Sequence, residues 1–212
     1  MNQQMGLRER KKERTRETIG ATAIRLFLDK GFDQVSITEI AEAADVSRRT
    51  LFAYFPTKED LVLQRFADHE DEAARTVRAR PDGLPPLEAL RAAHLDALAR
   101  RDPNTGLCDD PEVMAFLHLI SDTESLAARL ARYSGRGAEA LGAALREAGV
   151  DPLAARLVAA QVIVVQRELA TVNQEHLAAG TSADDHYPAA VRAAELAFDL
   201  LSGGLDRGVD PA

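Results

Sequence analysis

A chain of 212 residues that is 46% hydrophobic and 28% charged can bury a sizeable core, so its composition excludes a disordered polypeptide. Its one cysteine, Cys108, excludes an intramolecular disulfide framework and gives no structural zinc signature. The first residues contain no apolar signal-peptide core, and nowhere is there an uncharged apolar run of about 18 residues. We therefore expect a soluble cytoplasmic protein with no membrane partner.

The formal net charge of −8 is distributed unevenly along the chain. Residues 1–66 contain 12 Lys and Arg against 10 Asp and Glu, a net of +2, whereas residues 67–212 contain 14 against 24, a net of −10. Residues 8–16 alone contain six basic and two acidic side chains. A polyanion would be attracted to the N-terminal part and repelled by the rest. We predict one domain over 1–66 and a second over 67–212.

The spacing of apolar residues predicts an all-α fold of about nine helices, because the 3.6-residue period recurs along the chain and strand-like alternation does not persist. The first helix is predicted over 8–29, with Gly31 in the left-handed position that ends many helices. Ser36 and Glu39 then form a capping-box pattern, which opens a second helix over 37–44.

A tight turn and a short third helix follow. The turn contains Asp45, and Asp is one of the few residues besides glycine that tolerates a positive φ. Ser47 is placed to cap a helix over 48–55, and the pair Pro56–Thr57 ends that helix and begins a fourth.

The third helix has an apolar face and a polar face. Leu51 and Phe55 lie four residues apart and are predicted to pack against the second helix, whereas Arg48, Arg49 and Thr50 lie opposite. Arg can pair bidentately with guanine in the major groove, and Thr can contact a thymine methyl or a phosphate. Two short helices joined in this way predict a helix-turn-helix that reads DNA. Farther along, the Tyr54 hydroxyl and the Lys58 ammonium are placed to contact phosphates.

Residues 8–66, and especially SITEIAEAADVSRRTLFAYFPTKEDLV at 36–62, resemble the DNA-binding domain of TetR-family regulators. The resemblance implies an all-helical homodimer, a divergent C-terminal ligand-binding domain and, usually, repression relieved by a small molecule. Together, the residue pattern and the resemblance give these candidate DNA-binding residues: Ser36, Thr38, Ser47, Arg48, Arg49, Thr50, Tyr54 and Lys58. The chain departs from the family pattern at Phe52, where Tyr is common, and at Asp45, where Gly is common.

The second part of the chain is expected to hold the dimer interface. Helices are predicted near 67–80, 86–101, 111–133, 136–148, 152–179 and 186–203. The helix over 152–179 has apolar rows on adjacent faces, and the last helix adds a row of alanines, which suits a four-helix interface with a two-fold mate. The alternative is that both helices are intramolecular core. A two-fold dimer requires a pseudo-palindromic operator on double-stranded DNA.

Polar residues within these apolar helices are the candidates for a ligand site. His118, Gln166, Arg167 and Asn173 would each need a partner if buried, and a small apolar or amphipathic ligand could supply it. The alternative is that each is exposed or is satisfied by the protein. A looser similarity, over 114–120, 151–152 and 197–201, is to a subset of actinobacterial-type regulators that sense fatty acyl-CoA-like molecules.

The sequence contains no Gly-rich phosphate loop, nucleophile elbow or metal-binding quartet, so it predicts neither an enzyme nor a bound metal or cofactor. The favoured hypothesis is a ligand-responsive repressor. Two alternatives stay open: a transcriptional activator, and an architectural protein that binds DNA without sensing a ligand.

Overall fold

The structure, a computed structural model, describes residues 6–203, except the side chains of Leu7, Arg65, Ala67 and Asp68. Within that range the regular elements are all helical, which confirms the predicted all-α fold. This part of the chain contains ten α-helices, one more than expected. They are α1 (Leu7–Lys30), α2 (Ile37–Ala43), α3 (Arg48–Tyr54), α4 (Lys58–His69), α5 (Glu72–Ala79), α6 (Pro86–Ala99), α7 (Pro111–Asp122), α8 (Glu124–Glu147), α9 (Pro152–Ala178) and α10 (Ala183–Gly203), with a short 3-10 helix at Pro103–Thr105.

The described residues form two compact units. The first comprises residues up to 68 together with 115–131, and the second comprises 69–114 together with the residues from 132 onward. The helix-turn-helix region therefore shares its unit with a segment that is more than 45 residues away along the chain. The segment 115–131 contributes additional apolar side chains to the core of the first unit.

The core of the first unit is built from apolar residues at helical spacing. In α1, Ile19, Ala23 and Phe27 recur every four residues and are fully buried. The remaining buried hydrophobic residues described in this unit are Phe32, Val35, Ile40, Ala41, Leu51, Phe55, Leu61, Val62, Leu63, Phe116, Ile120 and Leu126. The burial of Leu51 and Phe55 confirms the predicted apolar face of the third helix.

The second unit buries one side of each of its long helices. One cluster contains Ala74, Val77, Leu90, Leu141, Ala144, Leu145, Ala155, Ala159, Val162 and Phe198, and another contains Leu98, Leu107, Leu177, Ala183, Ala190 and Ala194. In α10, the alanines at 190 and 194 and the phenylalanine at 198 thus face the core of their own chain, at four-residue spacing. Part of the alanine row of α10 therefore packs inside its own chain. This is the packing that the alternative to a dimer interface proposes for this helix.

The helix predicted over 111–133 is divided, and the break predicted after residue 133 is absent. Thr123 lies between α7 and α8, and its carbonyl accepts hydrogen bonds from the amides of Leu126 and Ala127, so a new helix begins there. α8 then continues without interruption through Gly135 and Gly137. A Cβ at Gly137 would lie 3.0 Å from the carbonyl oxygen of Glu70, so glycine permits a close approach of the chain at this point.

α9, at 27 residues, is the longest helix of the described part. One of its rows is open to solvent along its whole length: Leu157, Gln161, Val164, Glu168 and Val172 are all exposed. Charged residues interrupt its apolar surface. None of the helices between residues 6 and 203 combines the length and the apolar character that a lipid bilayer requires of a spanning helix.

Candidate nucleic-acid interface

Serine caps fix where α2 and α3 begin. The Ser36 hydroxyl accepts a hydrogen bond from the amide of Glu39 at 3.1 Å, and the Ser47 hydroxyl accepts one from the amide of Thr50 at 3.0 Å. Each bond satisfies one of the amides that a helix start leaves without a partner. The pKa of the Glu39 carboxyl lies below its ordinary value, first because Lys30 donates a hydrogen bond to it. The bond from the Glu39 amide to the Ser36 hydroxyl is one half of the predicted capping box.

The turn between α2 and α3 requires a left-handed residue. Asp45 has a φ of 52°, as predicted. Its amide donates to the carbonyl of Glu42 at 3.1 Å, and the amide of Val46 donates to the carbonyl of Ala41 at 2.9 Å. These bonds hold the turn at one angle, so α3 leaves it in a fixed direction.

The polar face of α3 is exposed at its N-terminal end. Arg48 and Arg49 are exposed, and neither forms an ion pair with a carboxylate among the described residues. The Thr50 hydroxyl lies 2.8 Å from that of Ser47, and Tyr54 is half-buried one turn farther along. The first turn of α3 therefore presents two unpaired guanidinium groups.

Two candidate residues lie at the start of α2. Ser36 and Thr38 are exposed, and the Ser36 hydroxyl is already engaged in its cap. The side chain of Phe52, on α3, is 42% exposed. A phenyl ring at that position has no hydroxyl with which to reach a phosphate.

The Lys58 ammonium, for which a phosphate contact is predicted, has partners within the first unit. Its ammonium donates to the backbone carbonyl of Phe32 at 2.5 Å. It also lies 4.5 Å from the centre of the Phe32 ring and 5.6 Å from that of Phe27. Lys58 thus ties the start of α4 to the segment after α1, a role that sequence spacing could not reveal because Phe32 is 26 residues away.

A second tie holds the start of α4. The Thr57 amide donates to the Asp60 carboxylate at 3.1 Å, and the Asp60 amide donates to the Thr57 hydroxyl at 3.3 Å. Arg129, in α8, donates through Nε to the same carboxylate at 2.9 Å. Asp60 is nearly buried, so its charge needs this guanidinium.

The four candidate ligand residues differ in exposure and in the unit to which they belong. His118 is exposed and belongs to the first unit, whereas the other three belong to the second. Arg167 is exposed and pairs with Glu168 at 3.1 Å, and Gln166 is half-buried.

Asn173 is buried, as its apolar surroundings suggested, but the protein itself satisfies it. Its Nδ2 donates to the Thr105 carbonyl at 2.8 Å, and its Oδ1 lies 3.1 Å from Nε2 of His186. The amide oxygen only accepts, so His186 donates from Nε2. The pKa of His186 is lowered by burial and then by the nearby His176, whose ring stacks on it at 4.1 Å.

Sequence reasoning missed His94. Only 8% of this α6 residue is exposed, and its Nε2 has no hydrogen-bond partner among the residues that the structure describes. Its ring lies 5.9 Å from that of Phe198, and burial lowers its pKa. The available signal was its position midway between Leu90 and Leu98, at four-residue spacing on one apolar row.

α9 and α10 together present an exposed apolar surface. Of the eight large apolar side chains exposed in the described residues, six lie on these two helices: Leu153, Leu157, Val164, Val172, Leu196 and Leu200. A groove of about 450 Å³ runs between them, lined by Ala160, Gln161, Val164, Val165, Ala197, Leu200 and Leu201. We call this surface the α9–α10 face.

Comparison with known proteins identifies the helix-turn-helix. Residues 19–64, which span α1 to α4, match the family model for bacterial regulatory proteins of the tetR family. The chain is also 35% identical over 130 residues to the HTH-type transcriptional regulator TcmR of Streptomyces glaucescens, a match that covers 61% of this chain and 58% of TcmR. The helix-turn-helix region is thus similar to that of tetR-family regulators. The chain spans less than two thirds of the length of TcmR.

Solved structures share the fold of this chain. NalD, the secondary repressor of the MexAB-OprM multidrug efflux pump in Pseudomonas aeruginosa, is 19% identical with a TM-score of 0.57, over 86% of this chain and 96% of NalD. SmeT, solved in complex with triclosan, is 22% identical with a TM-score of 0.53, over 88% of this chain and 89% of SmeT. At these identities the likeness concerns the fold alone.

Proposed function

We propose that this chain is a ligand-responsive transcriptional repressor of the TetR type that binds a pseudo-palindromic operator as a homodimer. The observation that carries the proposal is the first turn of α3, where Arg48 and Arg49 are exposed and unpaired at the end of a rigidly capped turn. Arginine with a free guanidinium can donate two parallel hydrogen bonds to guanine. The match of residues 19–64 to the tetR-family model supports transcriptional regulation, and we propose repression as its direction.

The proposed DNA contacts are of two kinds, contacts to base edges and contacts to the DNA backbone. Arg48, Arg49 and Thr50 would face base edges, because N-terminal residues of a recognition helix are the ones that enter the major groove. The backbone contacts would come from Ser36, Thr38, Ser47 and Tyr54. We leave Lys58 out of this set because its ammonium is already bound to Phe32.

Selection of bound sequences from a random duplex library, using the full chain, tests the DNA-binding role. We expect a pseudo-palindromic operator, and we expect Arg48→Ala or Arg49→Ala to weaken its binding by about 1–3 kcal/mol, roughly 5- to 150-fold in Kd, and to relax specificity at one position. Arg192→Ala is the matched control, since Arg192 is an exposed arginine of α10. Unchanged base preference in both α3 variants would contradict base reading.

The homodimer is proposed to form through the α9–α10 face. Leu157 is 52% exposed, Val164 47% and Leu196 55%, and together they make an apolar surface that a monomer leaves in contact with water. Covering such a surface is the main driving force for stable subunit association. A two-fold axis would pack α9 and α10 of one protomer against α9 and α10 of its partner.

Sedimentation of the Leu157→Glu variant tests the interface. Burying the exposed half of a leucine contributes about 1 kcal/mol, and two-fold symmetry counts it twice, so the dimer Kd should rise by at least about 30-fold. Leu28→Glu is the matched control, because Leu28 is an exposed leucine of α1 outside this face. A Leu157 variant that remains as dimeric as wild type would place the interface elsewhere.

The ligand is proposed to bind in the second unit beside His94. Its Nε2 is a buried polar atom that the protein leaves without a partner, and such a group favours a ligand that hydrogen-bonds to it. Leucines at 90 and 98 on the same row of α6 would contact the apolar part of the molecule. The crystallised complex of SmeT with triclosan supports the small-molecule class, and a fatty acyl-CoA-like ligand is our second candidate.

Thermal unfolding in the presence of triclosan or palmitoyl-CoA tests this site. We expect one of them to raise the Tm of wild type and release the operator, and His94→Leu to abolish both effects. Equal responses from wild type and the variant would remove His94 from the site. An operator complex that no such compound releases would favour an architectural protein.

A further inference from the structure

The first two turns of α1 extend a basic surface beyond the packed part of the first unit. Residues 8–14 are all exposed, whereas burial in this helix begins at Ile19. The five cations of the stretch are Arg8, Arg10, Lys11, Lys12 and Arg14. None of them forms an ion pair with a carboxylate in the part of the chain that the structure describes.

Several cations of the second unit are ion-paired instead. Arg78 pairs with Glu147 at 2.7 Å, and Arg136 pairs with Glu70 at 2.6 Å. Arg91 likewise pairs with Asp199. The start of α1 differs from these sites because its five unpaired cations lie within seven consecutive residues.

The row of cations is aligned with the end of α3. Arg8, Lys12 and Arg16 follow one another at four-residue spacing and share one face of α1. Arg16 lies 6.0 Å above the ring of Phe55, the C-cap residue of α3. Continuing the row from Arg16 back to Arg8 therefore leads from the recognition helix outward along the same face.

The acidic side chains of this stretch lie on the neighbouring row, where Glu13 pairs with Arg16 at 3.6 Å. Glu9 and Glu13 also follow each other at four-residue spacing, so they occupy a separate row. Eight residues of helix, from Arg8 to Arg16, span about 12 Å. This length corresponds to roughly three or four base pairs at about 3.4 Å per pair.

We propose that Arg8, Lys11 and Lys12 bind phosphates of the duplex outside the bases that α3 reads, and so lengthen each half-site without adding sequence preference. The proposal rests on the DNA-binding function proposed above. Charge complementarity favours a polyanion, and continuity with the end of α3 selects the flanking duplex. Phosphate contacts of this kind position a protein on DNA and release counterions.

The experiment compares two duplexes that carry the selected operator. One ends at the outer edge of each half-site, and the other extends about five base pairs beyond it. Fluorescence anisotropy gives Kd over a range of salt concentrations for the wild type and for the triple variant Arg8→Gln, Lys11→Gln, Lys12→Gln. The control, Arg75→Gln, Arg78→Gln, Arg136→Gln, removes the same charge from ion-paired arginines of the second unit. Circular dichroism checks that all three proteins are folded.

We expect the wild type and the control to bind the extended duplex more tightly than the short one, with a steeper salt dependence. Each phosphate contact adds about 0.9 to the slope of log Kd against log salt concentration, so the triple variant should lose about 2–3 per subunit on the extended duplex. Its affinity for the short duplex should stay near that of wild type.

Three results would overturn this inference without contradicting the proposed function. They are a wild-type Kd that does not depend on duplex length, a salt slope that is unchanged in the triple variant, and a loss of affinity in that variant that is equal on both duplexes. Binding of wild type, but not of the variant, to anionic phospholipid vesicles without any length effect on DNA would assign the surface to a membrane instead. If wild type selects no operator at all, the proposed function fails, and this inference fails with it.

Discussion

Replacing Lys58 with methionine separates a structural role from a DNA-binding role. Methionine keeps most of the aliphatic stem but removes the ammonium, which donates to the Phe32 carbonyl at 2.5 Å and lies over two phenyl rings. A hydrogen bond from a charged donor contributes about 1.5–3 kcal/mol, and a cation–π contact at a partly exposed site about 0.5–1 kcal/mol. Because Lys58 is only half-buried, we take the lower end of the sum.

We therefore expect Lys58→Met to reduce the free energy of unfolding by about 2 kcal/mol, roughly a 30-fold change in the folding equilibrium. Urea unfolding followed by circular dichroism measures this loss. Lys30→Met is the control: Lys30 pairs with Glu39 at 2.5 Å, but both groups are open to solvent, so the change should be small.

The salt dependence of operator binding provides the second measurement. A lysine that binds phosphate would flatten the slope of log Kd against log salt concentration by about 0.9 per subunit when it is removed. We expect the slope of the Lys58 variant to equal that of wild type, at temperatures where both are folded. A flattened slope with unchanged stability would refute the structural role and restore Lys58 as a phosphate contact.

Two further variants test the turn and the buried histidine. Asp45→Gly should raise the free energy of unfolding by about 0.5–1 kcal/mol, because glycine adopts the φ of 52° without the strain of a side chain. A urea midpoint below that of wild type would show that the Asp45 side chain contributes more stability than this strain costs. Burial lowers the pKa of His94 from 6.5, so the unfolded chain binds its proton more readily, and stability should be full above pH 6.5 and decline as the pH falls below it. His94→Leu should reduce this decline, as measured by urea unfolding at pH 7.5 and 5.5, and an undiminished decline would assign it to other groups.

The helix-turn-helix could be predicted from the sequence because its determinants are local. The hydroxyls of Ser36 and Ser47 cap helices that begin at the next residue, and Asp45 sets the turn through its own φ. The apolar pair Leu51 and Phe55 depends only on helical periodicity. Each of these signals operates within a few residues.

What the sequence did not reveal depends on partners far away along the chain. Lys58 acts through Phe32, and Asp60 acts through Arg129, which is 69 residues away. The same reason applies to Asn173, whose need for a partner was predicted but whose partners, Thr105 and His186, were not. A polar residue in an apolar helix signals that a partner exists without indicating which one.

The break between α7 and α8 shows a limit of residue propensity. The pair Ser134–Gly135 resembles a helix end, yet α8 passes through it, whereas Thr123, in a stretch without glycine or proline, begins a helix. Glycine lowers helix stability by only about 1 kcal/mol, which the tertiary packing of a 24-residue helix readily offsets.

The exposed row of α9 has a genetic consequence. In the proposed dimer this row meets its own copy, so a chain with an altered first turn of α3 but an unchanged α9 would still assemble with wild-type chains. Such mixed pairs would carry one competent and one defective reading helix. Alleles changed at Arg48 or Arg49 should therefore act dominantly over wild type in the same cell, whereas the same alleles combined with Leu157→Glu should become recessive.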